Sequence, residues 1–238
     1  KSYRATLKLG VATDTLDSEG QVITTQEVPE FSTDQLEAVC EKFRGDIMQV
    51  PPMFSALKKN GVPLYKLARE GKEVEREARP VTISKLEIVA VDLPFITIDV
   101  DCSKGTYIRT LIDDIGAELA CGAHMTALRR TRSGLFDIAD CVSLEQLKAA
   151  EGELPGLLSM DAALAEHPAV AVKSEAVSTL RCGVPPDFAQ TEPAGEISDG
   201  QLVRLQVDGS LAAMARFAPQ RSKEKRGDFE LIRVFIGQ

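Results

Sequence analysis

The chain has 238 residues, which is long enough to bury a core in one large and one small domain. Its composition, 44% hydrophobic and 27% charged, is typical of a globular protein, and no apolar run approaches the roughly 20 residues that span a bilayer. The net charge of −8 does not exclude a nucleic-acid partner, because residues 41–80 hold nine Lys or Arg against six Asp or Glu.

The five cysteines are widely spaced and form no CxxC pair. This pattern favours small buried cysteines over a disulfide or zinc framework. The first residues also lack the pattern of a signal peptide. We therefore expect a reducing, cytoplasmic setting.

The N-terminal third alternates strands and one helix. Residues 3–9 alternate between apolar and polar side chains, which predicts a half-buried strand, and a polar loop leads to a second strand at 21–28. Residues 32–43 show helical spacing, and Ser32 with Gln35 predicts a capping box at the start of that helix.

Residues 49–80 mix prolines, glycines and many charges, with one short helical stretch near 64–69. Long irregular segments inside compact domains are usually functional or disordered. We interpret this one as a protruding arm, and a solvated loop without a partner is the alternative.

Strand patterns return at 81–92 and 95–102, and helical patterns then continue to about Leu164, including 143–150 and a weaker one near residue 160. After His167 four short strands alternate with Gly/Pro turns, which predicts a small β-barrel or sandwich of about 70 residues. The sequence therefore predicts an α+β protein with a boundary between residues 166 and 167.

The stretch SKGTYIRTLIDDIG, residues 103–116, predicts a tight turn at Gly105 and a helix capped by Thr106. Arg109 lies in the first turn of that helix, where a cation is disfavoured by about 0.3–1 kcal/mol. An unpaired guanidinium that is also partly buried costs several kcal/mol more, so an anion must lie close by. Asp113 at i+4 is one candidate, and a carboxylate or phosphate facing the helix start is the other.

Three segments together closely resemble the TruB-type tRNA pseudouridine synthases. They are the GTYIR helix start with the later GAHMTALRR, the segment VPPMFSALKKNG, and the strand KSYRATLKLG followed by VATDTLDSEG. The resemblance implies a pseudouridine synthase catalytic domain at 1–166, an RNA-clasping arm at 49–80, and a PUA-like RNA-binding domain at 167–238. It also implies the activity of the family, the isomerisation of uridine 55 in the T-loop of tRNA, without cofactor or metal.

One family motif, the HTGxLDPxATG-like motif with the nucleophilic aspartate, does not occur in this sequence. The resemblance therefore leads us to expect that the N-terminal part with the nucleophile is absent, and that Arg109 pairs with that aspartate. Under this expectation a separate polypeptide carries the segment, or the fragment alone is inactive. The alternative function is a non-catalytic tRNA-binding or RNA-folding module.

The resemblance also implies roles for individual residues. Arg109 would align the aspartate, and Tyr3 would stack on the flipped-out base. Tyr107 would support the site, and Leu128 and His124 would form the pocket wall, although core packing explains each of these residues nearly as well.

The expected phosphate contacts are basic residues of the arm and of the segment that follows the helix. A solvated charged surface is the alternative for each of them. The loop with Asp14, Asp17 and Glu19 lacks the EF-hand pattern, so we expect no metal there. The candidate phosphate-binding residues are Lys58, Lys59, Lys66, Arg69, Arg129, Arg130 and Arg132.

Overall fold

The computed structural model describes residues 1–152, 154–220 and 227–236. The chain divides into two compact units, Lys1–Cys141 and Val142–Gln238. Within the described residues, no helix is both long and apolar enough to cross a membrane.

The first unit is built on a six-stranded antiparallel sheet. The strands of the whole unit, inside and outside this sheet, are β1 (Ser2–Leu9), β2 (Val11–Thr13), β3 (Val22–Thr25), β4 (Gly45–Gln49), β5 (Lys58–Lys59), β6 (Val62–Pro63), β7 (Arg79–Asp92), β8 (Phe95–Cys102), β9 (Ala123–Ser133) and β10 (Phe136–Asp137). Its helices are α1 (Thr33–Glu41), α2 (Leu64–Arg69) and α3 (Ile108–Glu118). The sheet order is β10-β9-β1-β8-β7-β4, and two hairpins, β2–β3 and β5–β6, stand apart from it.

The apolar residues that recur at strand or helix spacing in the sequence form the core of this unit. Ala5, Leu7 and Leu9 of β1 are buried on one face, where they meet the helical stripe of α3 that includes Leu111 and Ile112. Helix α1 begins with the predicted capping box. The predicted strands of β1, β7 and β8 and the predicted helices α1, α2 and α3 are therefore confirmed.

The helical interpretation of the segment after α3 is wrong for residues 123–133. This segment forms strand β9, which pairs antiparallel with β1 from Ala123 opposite Leu9 to Arg132 opposite Ser2. The physical reason is pairing between distant residues, since β1 offers a complete edge that no local pattern in the segment reveals.

The second unit contains α4 (Leu144–Ala149), α5 (Met160–Ala163), β11 (Ala169–Val172), α6 (Ser174–Arg181), β12 (Thr191–Pro193), β13 (Leu202–Val207), β14 (Ser210–Phe217) and β15 (Phe229–Val234). The sheet order is β12-β11-β13-β14-β15, with β11 and β13 parallel and the other pairs antiparallel.

The four predicted strands of the second unit are present, but the predicted barrel is not closed. Over the described residues, β12 and β15 are the two edges of an open sheet. The sequence interpretation also missed α6, whose Ala176 and Leu180 are buried in the core of this unit. A short helix covers part of the apolar sheet here, so that burial does not require closure.

A buried ion pair explains why the compact units divide before the predicted boundary at 166/167. Arg204 on β13 is 9% exposed, and its guanidinium donates to the Asp161 carboxylate on α5 and, at 2.8 Å, to the carbonyl oxygen of His167. The segment before residue 167 is therefore fastened to the second sheet. The division into a catalytic and a PUA-like domain stays a prediction.

We expect Asp161→Ala to destabilise the second unit by about 2–4 kcal/mol, because the substitution leaves the buried Arg204 guanidinium without its carboxylate. Urea denaturation with hydrogen exchange read at residues 202–217 measures the loss. Asp199→Ala, in an exposed turn, is the matched control. Equal protection in the two variants would show that the pair does not hold this segment.

Candidate active site

Helix α3 begins at a point fixed by a distant side chain. Tyr107 is the N-cap residue and makes no side-chain capping bond. The amide of Gln49, at the end of β4, accepts from the Tyr107 backbone N–H at 2.8 Å and donates to the Tyr107 carbonyl at 3.1 Å. The predicted cap Thr106 instead donates to the Ser103 carbonyl. A buried glutamine, 2% exposed, thus replaces the local cap.

Arg109 joins three segments of the chain. Its Nη1 donates to Asp17 Oδ2 at 2.7 Å and to the Thr15 carbonyl at 3.2 Å, and its Nη2 donates to the Phe54 carbonyl at 2.8 Å. The side chains of Arg109 and Asp17 are only 22% and 17% exposed. This pair fastens the start of α3 to the loop after β2 and to the beginning of the arm.

The anion beside Arg109 is therefore a carboxylate that faces the helix start, the second of the two candidates, although the sequence did not indicate which acid supplies it. The side chain of Asp113, the i+4 candidate, makes no hydrogen bond among the described residues. The acid is Asp17, from the loop VATDTLDSEG that follows β1. Tertiary folding brings the two residues together across 92 positions of sequence.

The Asp17 loop, residues 13–20, is shaped to present this carboxylate. Asp17 Oδ1 accepts from the Thr15 hydroxyl at 2.6 Å and from the Glu19 N–H at 3.1 Å, while the buried Thr13 hydroxyl donates to the Asp17 carbonyl. Burial alone would raise the pKa of Asp17, but the hydrogen bonds from Thr15, Arg109 and Glu19 outweigh it and the pKa is lowered. The carboxylate is therefore ionised and held toward Arg109.

Strand β9 supports the Asp17 loop from behind. The Met125 N–H donates to the Leu16 carbonyl and the Ser18 N–H donates to the Met125 carbonyl, both at 3.0 Å. His124 is 7% exposed, and its Nδ1 lies 2.8 Å from the Val11 carbonyl oxygen. His124 thus contacts the backbone that leads into the loop, and its predicted place in a substrate pocket stays a prediction.

Sheet register brings Tyr3, Leu128 and Arg130 to one face. Tyr3 is opposite Arg130 and Ala5 is opposite Leu128, and directly opposed residues share a face. Tyr3 packs partly buried against the core, whereas Leu128 is 45% exposed. No hydrogen bond in the described chain joins Tyr3 to Arg109.

The predicted basic residues do not form one cluster. Arg129 is opposite Arg4, one position out of step with Arg130, so these two arginines point to opposite faces of the sheet. Arg132 is drawn toward Asp101 at 3.5 Å. On the arm, four exposed cations project from β5 and α2: Lys58, Lys59, Lys66 and Arg69.

Two further carboxyl groups lie on α3 beyond Arg109. Burial raises the pKa of Asp113, and burial together with the charge of Asp113 raises the pKa of Asp114 to about 6. Burial thus disfavours the ionised form of both side chains, so their ionisation lowers the stability of the folded state.

Sequence reasoning missed three residues of the site, which are Asp17 as the partner of Arg109, Thr15 and Gln49. For Gln49 the only signal in the sequence was its position, since it is a polar residue at the end of an ordinary strand. For Asp17 the signal was the dense Asp/Thr/Gly spacing of TDTLDSEG, which is typical of a loop built on side-chain hydrogen bonds.

Comparison with known proteins identifies the family. The model of the TruB family pseudouridylate synthase N-terminal domain matches residues 1–108, and that of the tRNA pseudouridylate synthase B C-terminal domain matches residues 109–165. The tRNA pseudouridine synthase B of Syntrophotalea carbinolica is 48% identical over 99% of this chain and 78% of its own length. That of Geobacter sulfurreducens is 43% identical over 99% of this chain and 79% of its own.

Two solved structures share the fold. One is a chain of a Cbf5–Nop10–Gar1 complex, with a TM-score of 0.69 and 25% identity. The other belongs to an H/ACA RNP bound to a substrate RNA that contains 2′-deoxyuridine, with a TM-score of 0.71 and 22% identity. This chain spans 66% of the length of each of them.

The protein is an α+β enzyme of the RNA-modifying class. It belongs to the TruB family of tRNA pseudouridine synthases, which are isomerases. The predicted family and enzyme class are confirmed. The expectation that the N-terminal catalytic part is absent is not borne out, since the N-terminal family model matches residues 1–108, and no separate polypeptide is shown.

We expect Gln49→Leu to lower the free energy of unfolding by about 1–3 kcal/mol, because it leaves the Tyr107 N–H buried without an acceptor. Chemical denaturation measures the change, and Gln26→Leu, an exposed glutamine, is the control. A variant as stable as the parent would mean that water or another group satisfies the helix start.

We expect Asp114→Asn to stabilise the protein at neutral pH by about 1 kcal/mol or more. Between pH 4 and 6 the folded state holds a proton that the unfolded state has released, because the pKa of Asp114 is about 6 when folded against 3.8 ordinarily. Stability from Asp114 is therefore lost as pH rises through this window. Thermal melts of the parent, Asp114→Asn and the control Asp140→Asn from pH 4 to 8 test this. If stability falls with pH as steeply in Asp114→Asn as in the parent, the prediction is wrong.

Proposed function

We propose that this enzyme converts uridine 55 in the T-loop of tRNA to pseudouridine, with the first unit as its catalytic part. The reaction breaks the bond between N1 of the base and C1′ of the ribose, rotates the base, and joins C5 to C1′. The C5 proton is then released to water, and N1, which is no longer joined to the ribose, takes up a proton from water. The base must leave its stack to be reached.

The observation that carries this proposal is the Arg109–Asp17 pair at the start of α3, within the GTYIR segment. Three of the five guanidinium N–H groups are occupied by Asp17, Thr15 and Phe54, and in the described chain the Nε–H and one Nη2–H have no acceptor. We assign these two donors to the reacting groups. The three occupied donors hold the guanidinium in one orientation, which is the condition for electrostatic preorganisation.

The other predicted site residues take supporting roles in the proposal. Tyr3 stacks on the flipped base and assists removal of the C5 proton, and Leu128 forms an apolar wall on the same sheet face. Tyr107 acts through its position at the helix start, where Gln49 fixes its backbone. His124 acts through the loop that it supports.

We assign RNA backbone binding to exposed cations on the arm and to the second unit. Lys58, Lys66 and Arg69 have no carboxylate partner in the described structure, which leaves them available to phosphates. Residues 167–238, which include the mixed sheet and α6 of the second unit, serve as a PUA-like RNA-binding domain, with the functional boundary at 166/167. A cytoplasmic location is consistent with tRNA as the substrate.

Tritium release from a T-stem-loop RNA labelled at C5 of its uridine tests this function. We expect Arg109→Lys to reduce the rate at saturating RNA by about 100-fold or more while RNA affinity changes little, because a single ammonium cannot make the forked contacts of the guanidinium. Lysine keeps the positive charge beside Asp17 and so preserves the fold, which circular dichroism verifies.

The control is Arg4→Lys, which alters an exposed arginine paired with Asp99 on the same sheet. Its rate should equal that of the parent. A protein that binds the RNA with strong salt dependence but never releases the label would instead be the non-catalytic RNA-binding module.

A further inference from the structure

A cavity of about 310 Å³ opens next to the Arg109–Asp17 pair, and we call it the acidic cavity. It is bounded by the Asp17 loop, by residues 50–53 at the start of the arm, and by the face of α3 that carries Thr110, Asp113 and Asp114. The volume lies at the lower end of the range of small-molecule sites.

The charges that line this cavity do not balance. Four carboxylates, those of Asp14, Glu73, Asp113 and Asp114, face one guanidinium, that of Arg76. Arg76 is paired with Glu73 at 3.3 Å, although its buried Nε has no partner in the described chain, and among the described residues Asp14 accepts only the backbone N–H of Gln21. Asp113 and Asp114 accept no hydrogen bond from any described residue, although both are half-buried.

A second observation, independent of the charges, points to a ligand. Thr110 is 6% exposed and lines the cavity, and its hydroxyl has no hydrogen-bond partner in the described chain. A buried hydroxyl without a partner costs about 1–3 kcal/mol, so such groups are usually satisfied by something that binds.

The rest of the wall is apolar. Leu16, Ile23, Val50 and Met53 line the cavity, and Ile23 and Val50 are 62% and 44% exposed. A wall that combines carboxylates with aliphatic side chains matches a group with a charged head and a methylene stem.

We propose that the acidic cavity binds an alkyl cation, an ammonium or guanidinium on an aliphatic stem, with the head group at Asp113, Asp114 and Thr110 and the stem on Ile23 and Val50. The chemistry is shared by a free polyamine and by a Lys or Arg side chain of another polypeptide. The inference goes beyond the proposed reaction and does not depend on it.

Calorimetric titration at low salt tests this proposal with two probes: spermidine, and N-acetyl-lysine methylamide as the lysine side chain of a polypeptide. We expect saturable one-to-one binding of at least one probe. Tighter binding of spermidine identifies a free polyamine, and tighter binding of the lysine derivative identifies a polypeptide. Absence of saturable binding by both overturns the proposal.

Variants locate the binding in the cavity. Asp113→Asn and Asp114→Asn should each weaken the affinity by about tenfold or more, whereas Asp140→Asn, which removes an exposed acid elsewhere, should leave it unchanged. Thr110→Val keeps the shape of the side chain and should weaken binding without loss of thermal stability. Equal affinity in all four variants would overturn the proposal by placing the cation elsewhere.

Affinity should also rise with pH between 5 and 7.5. A bound cation favours the ionised form of Asp114, whose pKa is about 6, so that binding releases a proton at the lower pH. The other charged groups that face it are Asp14, Asp113, Glu73 and Arg76. The pH dependence should be smaller in Asp114→Asn than in the parent, and an equal dependence in the two would contradict the assigned position.

Discussion

One partly buried ion pair organises the first unit. The Arg109 guanidinium lies in the first turn of α3, where the helix dipole disfavours a cation, and Asp17 compensates for this at 2.7 Å. Because the same guanidinium also binds the carbonyl oxygens of Thr15 and Phe54, three segments far apart in sequence converge on one side chain. The site is thus defined by a contact that exists only in the folded chain.

The surroundings of this pair are arranged to hold it rigid. Gln49 fixes the backbone where α3 starts, and β9 pairs with both sides of Asp17 through Met125. The Asp17 loop is compact enough that a Cβ on Gly20 would lie 2.3 Å from the Thr15 hydroxyl. Such packing reduces the freedom of the carboxylate, which is what a reactive site needs if little reorganisation is to accompany the reaction.

Sequence patterns predicted the elements that depend on local information. The alternation of β1, the stripe of α3 and the Ser32 capping box all became the observed structure. Strand β9 did not, because its conformation is set by pairing with β1. The partner of Arg109 was also missed, since the sequence shows that an anion is required but not which of many acids the fold delivers.

The environment of Arg109 is distinctive. The side chain is partly buried and paired with Asp17, and two of its donors have no acceptor among the described residues. The acids farther along α3 have the opposite character, since the side chains of Asp113 and Asp114 have no partner among the described residues and burial raises the pKa of each. Within two turns, α3 therefore carries a cation that is paired, Arg109, and two acids that have no partner among the described residues, Asp113 and Asp114.

The most direct test of the central claim is a double-mutant cycle between Arg109 and Asp17, with Arg109→Ala, Asp17→Asn and the double variant compared by chemical denaturation. If the pair fastens α3 to the loop, the two substitutions are strongly non-additive, with a coupling free energy of about 1–3 kcal/mol. Additive effects, with a coupling near zero, would show that the two residues act independently and that the site is held together by something else.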